Sequence, residues 1–272
     1  MAFGLEWPLI VELLVLGACL GFLAGLLGVG GGMLLVPFMT FLLTTKGFPA
    51  EIVVKMAVAT SLATICFTSI SSVRAHHARG AVRWDIVRTL APGIVVGSMA
   101  GAQLAKAMPS RWLALLFALF VGFSATQMLL DKRSRPSRQL PGTAGMLSAG
   151  AGIGGLSALV GAGGAFVSVP FMTACNVAIH QAVGTSAALG FPIALAGTVG
   201  YVIAGWSLPD MPPGTLGFLY LPGLAVVSIA SVSTAPWGAR AAHRLNVRQL
   251  KRVFACLLYG LAIYMLRRAL AT

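Results

Sequence analysis

Charge is what this 272-residue chain has least of. Asp, Glu, Lys and Arg together make up 9% of it, and only six residues are acidic. With 58% hydrophobic residues and a mean hydropathy of +0.91, the chain cannot cover a water-soluble globule with polar side chains, so lipid must be its solvent. The shortage of carboxylates also removes the usual intramembrane proton relay. Histidine is scarce as well, with four residues, and no His or Cys cluster or HExxH-type spacing occurs, so a metal centre lacks ligands. The four cysteines, Cys19, Cys66, Cys175 and Cys256, lie in apolar runs and form no close pair. They read as small buried hydrophobes, not as a disulfide framework. No Ser–His pairing can be argued for an intramembrane protease. The chain is therefore not read as an enzyme, and no catalytic residue, cofactor or metal is expected. A basic region ahead of the first apolar run is missing too; only Glu6 and Glu12 stand there, which is not the pattern of a cleaved signal peptide.

The formal charge of +13 does not make this a nucleic-acid-binding protein. Its bases sit in short loops between apolar runs, with no interleaved aromatic residues to stack on bases. Positive loops facing the cytoplasm explain them better.

What the chain does have is glycine in unusual places. The stretch Gly28-Val29-Gly30-Gly31-Gly32-Met33-Leu34-Leu35-Val36-Pro37-Phe38-Met39 lies inside an uncharged run between Glu12 and Lys46. Glycine clusters and proline break helices, yet nothing here is polar enough for a surface loop. In a membrane, broken backbone is tolerated where protein buries it or a hydrated cavity receives it. The stretch recurs 133 residues later, as Gly161-Ala162-Gly163-Gly164-Ala165-Phe166-Val167-Ser168-Val169-Pro170-Phe171-Met172. Broken apolar segments at corresponding points of two halves point to a transporter's binding site.

Residues 8–43 number 36, whereas one crossing needs about 20, so the glycines should divide a long arm ending at Leu27 from a short one over 33–43. Further segments are expected at 52–72, 89–105 and 112–130. The polar linker Asp131-Lys132-Arg133-Ser134-Arg135-Pro136-Ser137-Arg138 then marks a boundary. The second half repeats the programme, with a broken pair over 142–178 and segments to Ala204, at 216–235 and at 253–266. Gly97 and Gly101 are spaced for close helix contact. Ala59-Thr60-Ser61 echoes Gly184-Thr185-Ser186, and Pro92-Gly93 echoes Pro222-Gly223, so duplication is expected. The expected organisation is a first repeat over 1–130, a basic linker over 131–141 and a second repeat over 142–272.

Charge decides the orientation of the repeats. If they are inverted, thirteen bases fall on the cytoplasmic side, in the 73–88 loop (with His76, His77 and Asp85), the 131–138 linker and the 236–252 loop. Six fall outside: Lys46, Lys55, Lys106, Arg111, Arg267 and Arg268. Parallel repeats would give ten against nine, so the positive-inside rule favours inversion. The fold class expected is an all-α polytopic membrane protein of two inverted repeats, each a Gly-broken helical hairpin plus three transmembrane helices.

Interrupted helices expose backbone N–H groups and a positive dipole end, which suit an anion. Glycine lets the ligand come close to the backbone. The hydroxyls of Thr60, Ser61, Thr185 and Ser186 add donors without fixed charge. The plainer alternative is that the glycines serve only helix packing and the hydroxyls only the i−4 carbonyl. Duplication, with Pro37 and Pro170 in register, favours the binding reading. Among ionisable residues, Lys55 aligns with His180, and Glu12 lies near the start of the first arm. These three are candidates for gating or coupling, beside the alternative of snorkelling to the interface.

The doubled glycine string with Val36-Pro37-Phe38-Met39 and Val169-Pro170-Phe171-Met172, each followed by a Thr-Ser pair, resembles the sulfite exporter TauE/SafE family of bacterial membrane proteins. The run Trp237-Gly238-Ala239-Arg240-Ala241-Ala242-His243-Arg244-Leu245 is similar to that family's second half. The resemblance covers about residues 10–268. It implies a permease of the bacterial cytoplasmic (inner) membrane, with the 131–138 linker cytoplasmic. Its partners would be the lipid bilayer and a small anion such as sulfite or an organosulfonate. Carried over by position, its motif falls on Gly28, Gly30, Gly31, Gly32 and Pro37, and on Gly161, Gly163, Gly164 and Pro170. Ala165 replaces the glycine found at Gly32, so the two binding halves need not be equal. The expected function is export by alternating access around the two broken hairpins; an anion channel with the same donors and a non-transporting scaffold subunit are the alternatives.

Overall fold

A computed structural model describes residues 7–27, 32–130, 139–208, 211–242 and 247–271. Gly28, Gly30 and Gly31, the 131–138 linker and the Pro209-Asp210 pair lie outside the described residues. Those described form ten α-helices and one two-stranded hairpin. The helices before the linker are α1 (Trp7–Leu27), α2 (Gly32–Thr45), α3 (Ala50–His77), α4 (Trp84–Ala107) and α5 (Ser110–Leu130). After it come α6 (Thr143–Val160), α7 (Ala165–Ala174), α8 (Ile179–Gly205), α9 (Leu221–Ala242) and α10 (Val247–Ala271).

Six of these, α3, α5, α6, α8, α9 and α10, contain stretches long and apolar enough to cross a bilayer. Their outward faces carry large apolar side chains, among them Leu119, Phe123, Ile203 and Ile229. The tryptophans mark the ends: Trp7, Trp84 and Trp112 begin helices, Trp206 follows α8 and Trp237 is near the end of α9, and all five are exposed. Such a girdle is what the membrane interface selects. The protein is an all-helical, multi-pass membrane protein.

The second glycine string breaks its helix as the sequence predicts, with α6 ending at Val160 and α7 starting at Ala165, and in the first half α1 ends at Leu27 and α2 starts at Gly32. α2 has 14 residues and α7 has 10, or roughly 21 and 15 Å at 1.5 Å per residue, each too short for a 30 Å hydrocarbon layer. Pro37 and Pro170 each occupy the sixth position of their short helix, where the missing N–H frees the carbonyl four residues earlier. In the first hairpin, Lys46 Nζ lies 3.3 Å from Glu12 Oε1, so the end of α2 returns to the level at which α1 began.

Pairing between helices runs across the linker. α1 packs on α9, α6 on α4, α3 on α8 and α5 on α10. Glycine permits the two closest of these. A Cβ on Gly93 or Gly97 would overlap the carbonyls of Leu147 and Ala151, and one on Gly101 would lie 2.7 Å from Gly155 O. In return, Gly150 and Gly154 of α6 meet the carbonyls of Leu90 and Ile94. Gly17 and Gly21 play the same part against Val227 and Ser231 of α9. With backbones this near, dispersion and Cα–H contacts replace the hydrophobic drive that lipid removes.

Three expectations need correction. Helix α3 continues to His77 and α4 starts at Trp84, so His76, His77, Arg74, Asp85 and Arg88 are helical; only 78–83 connect them. The segment expected from Leu216 begins instead as a hairpin, β1 (Thr215–Leu216) against β2 (Leu219–Tyr220), and α9 starts at Leu221. Gly217, at φ +56°, makes the tight turn that a helix start cannot. The Pro-Gly echo is also out of register: Pro92 is the ninth residue of α4, whereas Pro222 is the second of α9.

Candidate functional site

The start of α2 meets the break between α6 and α7. Gly161 caps the C-terminus of α6 at φ +70°, and Gly164 precedes α7 at φ +78°, both left-handed conformations that a side chain would strain. A Cβ on Gly32, the first residue of α2, would lie 2.8 Å from Gly161 O. A Cβ on Gly161 would lie 2.7 Å from Val36 Cγ2 and 3.2 Å from Val58 Cα. The start of α2 and the end of α6 therefore touch at one point against α3. Gly163 lies beside Ile65 on the same helix.

Ser61 holds this junction. Its hydroxyl is fully buried and stands 2.9 Å from Gly161 O and 3.1 Å from Gly32 O, donating its one proton to that pair. Ser186, the aligned residue of the second half, instead accepts a hydrogen bond from Ser168 Oγ at 2.8 Å. The two threonines serve loops. Thr60 Oγ1 accepts the Tyr220 N–H at 3.2 Å, and Thr185 Oγ1 accepts the Arg83 N–H at 3.0 Å. Tyr220 ends the β-hairpin before α9, and Arg83 ends the loop before α4, so each half's threonine secures the loop of the other half. The Tyr220 ring is buried in this seat against Phe48, and burial pushes its phenol up from the ordinary range, keeping it neutral. Arg83 also forks onto Asp85, with Nε–Oδ1 at 2.9 Å and Nη2–Oδ2 at 2.6 Å; that hydrogen bond raises its already high pKa, though the pair is exposed and adds little.

Beside Ser61 is a cavity of about 10 Å³, room for a single water. It lies between α1, α2, α3 and α9. Its polar lining consists of the hydroxyl residues Ser61, Thr64, Thr68 and Ser231 beside Gly32. Thr64, Thr68 and Ser231 were not singled out from the sequence. Thr64 and Thr68 follow Ser61 at helical spacing and could have been found that way; Ser231 enters only because α9 packs on α1.

The three candidates for gating do not line this cavity. Glu12 is on the surface, paired with Lys46. Lys55 is buried, only 8% exposed; its Nζ donates to Lys106 O at 2.9 Å and lies 5.7 Å from the Phe218 ring centre. It thus caps the C-terminus of α4, where a cation meets the negative dipole end. His180, aligned with Lys55, is exposed at the start of α8. Among the described residues no group of three or more His, Cys, Asp or Glu could hold a metal ion.

The family model for the sulfite exporter TauE/SafE matches residues 13–265. The chain belongs to this family. A relative in Haemophilus influenzae is 36% identical over 253 residues, covering 93% of this chain and 96% of its own. A relative in Methanocaldococcus jannaschii is 26% identical over 273 residues, covering 96% and 97%. Bacillus subtilis YdhB is 30% identical over 196 residues, covering 69% and 76%. All three carry the description "Probable membrane transporter protein". No solved structure matches. Family membership and the apolar helices together make the protein a membrane transporter, which acts on a small-molecule substrate in a lipid bilayer.

Proposed function

We propose that the protein exports small sulfur-containing anions, sulfite or an organosulfonate, across the bacterial inner membrane. The observation that carries this reading is the convergence of two helix breaks at Ser61, inside the helix bundle. Buried helix breaks bring backbone N–H groups and positive dipole ends to a substrate that lacks a protein countercharge. The N-terminus of α2 supplies such an end beside the cavity, and Ser61 and its neighbours supply hydroxyls.

Residues 1–130 and 142–272 act as inverted repeats that rock against each other, with the 131–138 linker cytoplasmic. The exchange of partners, α1 with α9 and α6 with α4, supports duplication. In this reading the Thr60–Tyr220 and Thr185–Arg83 hydrogen bonds are latches toward opposite faces. Both are closed, and the small cavity fits an occluded arrangement. Transport opens one latch at a time. With no carboxylate among the described residues lining the cavity, the membrane potential drives efflux: an anion leaving a cell negative inside gains about 2.3 kcal/mol per charge per 100 mV.

Efflux from preloaded proteoliposomes tests the reading. Sulfite and a panel of sulfonates are compared for wild type and Gly32→Leu, whose side chain would overfill the junction. Saturable efflux of one anion, lost in the variant, is expected. Efflux of none by folded wild type would refute the substrate class.

A further inference from the structure

The sequence presents two matched sets of hydroxyls, but the two halves surround them differently. The structural equivalence is fixed by the glycines: Gly17 and Gly21 of α1 meet Val227 and Ser231, while Gly150 and Gly154 of α6 meet Leu90 and Ile94. Ser231 thus corresponds to Ile94. The Thr60-Ser61 and Thr185-Ser186 strings likewise set Thr64 against Leu189 and Thr68 against Ile193. Around the first break the equivalents are hydroxyls facing a cavity. Around the second they are aliphatic side chains, and Leu189, Ile193 and Ile94 are all fully buried.

The second position is filled. Ile193 and Ile153 press on the left-handed Gly164, and Ser168 and Ser186 satisfy each other. Those two can turn toward a ligand only by breaking that pair, and the one unpartnered hydroxyl among the described residues beside Gly164 is the buried Ser157 Oγ. On the first side, Thr64 donates to Thr60 O at 2.9 Å and Thr68 weakly to Ile65 O at 3.3 Å, bonds within their own helix that can be given up. The Ser231 hydroxyl is 4% exposed and has no donor bond among the described residues.

We propose that the substrate seat is one-sided: the anion is bound by Ser61, Thr64, Thr68 and Ser231 between α1, α2, α3 and α9, and the second break is a dry pivot. This rests on the transport reading above and adds to it the side, the residues and the chemistry of recognition. Hydroxyl donors without a cation bind a small oxyanion with few, releasable hydrogen bonds. They reject cations, because no carboxylate is among the described residues that line the cavity, and they reject bulky anions, because α1 and α9 are held together by Gly17 and Gly21.

Two measurements test it. The first is independent of substrate identity. In a background with the four cysteines replaced by alanine, Thr64→Cys and Ser231→Cys are compared with Leu189→Cys and Ile94→Cys for modification by a small sulfonate-bearing methanethiosulfonate. The first pair should react at least about tenfold faster, since an anion reaches only the open side. Equal rates, or faster reaction of the second pair, would overturn the proposal. The second is transport. Thr64→Val should raise KM about tenfold, the worth of one hydrogen bond to a charged ligand, while Thr64→Ser restores it and Ser186→Ala stays within about twofold. Equal losses in Thr64→Val and Ser186→Ala would restore a symmetric site and sink the one-sided seat. If folded wild type moves no sulfur anion, the transport reading fails, and the labelling still decides which break is open.

Discussion

Replacing Gly161 by alanine should weaken the protein where the two breaks meet, and the size of the effect can be worked from the geometry. At φ +70° an L-residue loses about 1–2 kcal/mol relative to glycine. The new methyl would also stand 2.7 Å from Val36 Cγ2 and 3.2 Å from Val58 Cα. Val36 is fully buried and Val58 Cα is backbone, so neither can swing away, and overpacking of this kind costs about 1–3 kcal/mol. The sum is roughly 2–5 kcal/mol, or a fall in Tm of about 5–15 °C for a chain of this size. Gly152→Ala is the matched control: it is in the interior of α6 with nothing within 4 Å of its Cβ position, so alanine should raise stability by about 0.5–1 kcal/mol. Thermal unfolding of both variants in the same detergent, followed by fluorescence, gives the comparison. A Tm for Gly161→Ala equal to or above that of wild type would refute the left-handed cap and the contact between the breaks.

Lys55→Met should cost about 1–3 kcal/mol, because the Lys106 carbonyl loses its charged donor in a buried setting, with Lys55→Arg losing less; denaturation midpoints check both. Glu12→Gln should change stability by less than about 1 kcal/mol, less still in high salt, and leave KM for transport unaltered, since the Glu12–Lys46 pair is half exposed and distant from the cavity lining. Inverted repeats predict that cysteines placed at Arg79 and Pro213, both exposed, are labelled from opposite sides of intact cells; labelling from the same side would contradict inversion.

Much of the helical plan was legible because it is local. Glycine strings, short apolar arms and the Gly97/Gly101 spacing are properties of one segment, and lipid leaves the backbone few other choices. The site was legible only in part. Gly32, Ser61 and Gly161 do come together, but Thr60 and Thr185 accept hydrogen bonds from the loops before α9 and α4, which no local pattern reveals. Lys55 aligned with His180 by position, yet its partner is a carbonyl 51 residues away and His180 is exposed. Ser231 joins the cavity only through the packing of α9 on α1. The Pro-Gly echo misled because proline marks different depths in α4 and α9. Residues defined by pairing across the linker are invisible until the pairing is known.

The central claim, that a small sulfur anion is carried through a binding site at the joined helix breaks, is tested most directly by counterflow. Proteoliposomes loaded with unlabelled sulfite are diluted into a trace of labelled sulfite, with wild type, Gly32→Leu and Thr64→Val side by side. The account predicts transient accumulation of label above equilibrium in wild type, abolished by Gly32→Leu and requiring higher internal sulfite in Thr64→Val. Linear, non-saturating flux without overshoot would make the protein a channel, and no flux of sulfite or any sulfonate would contradict the account.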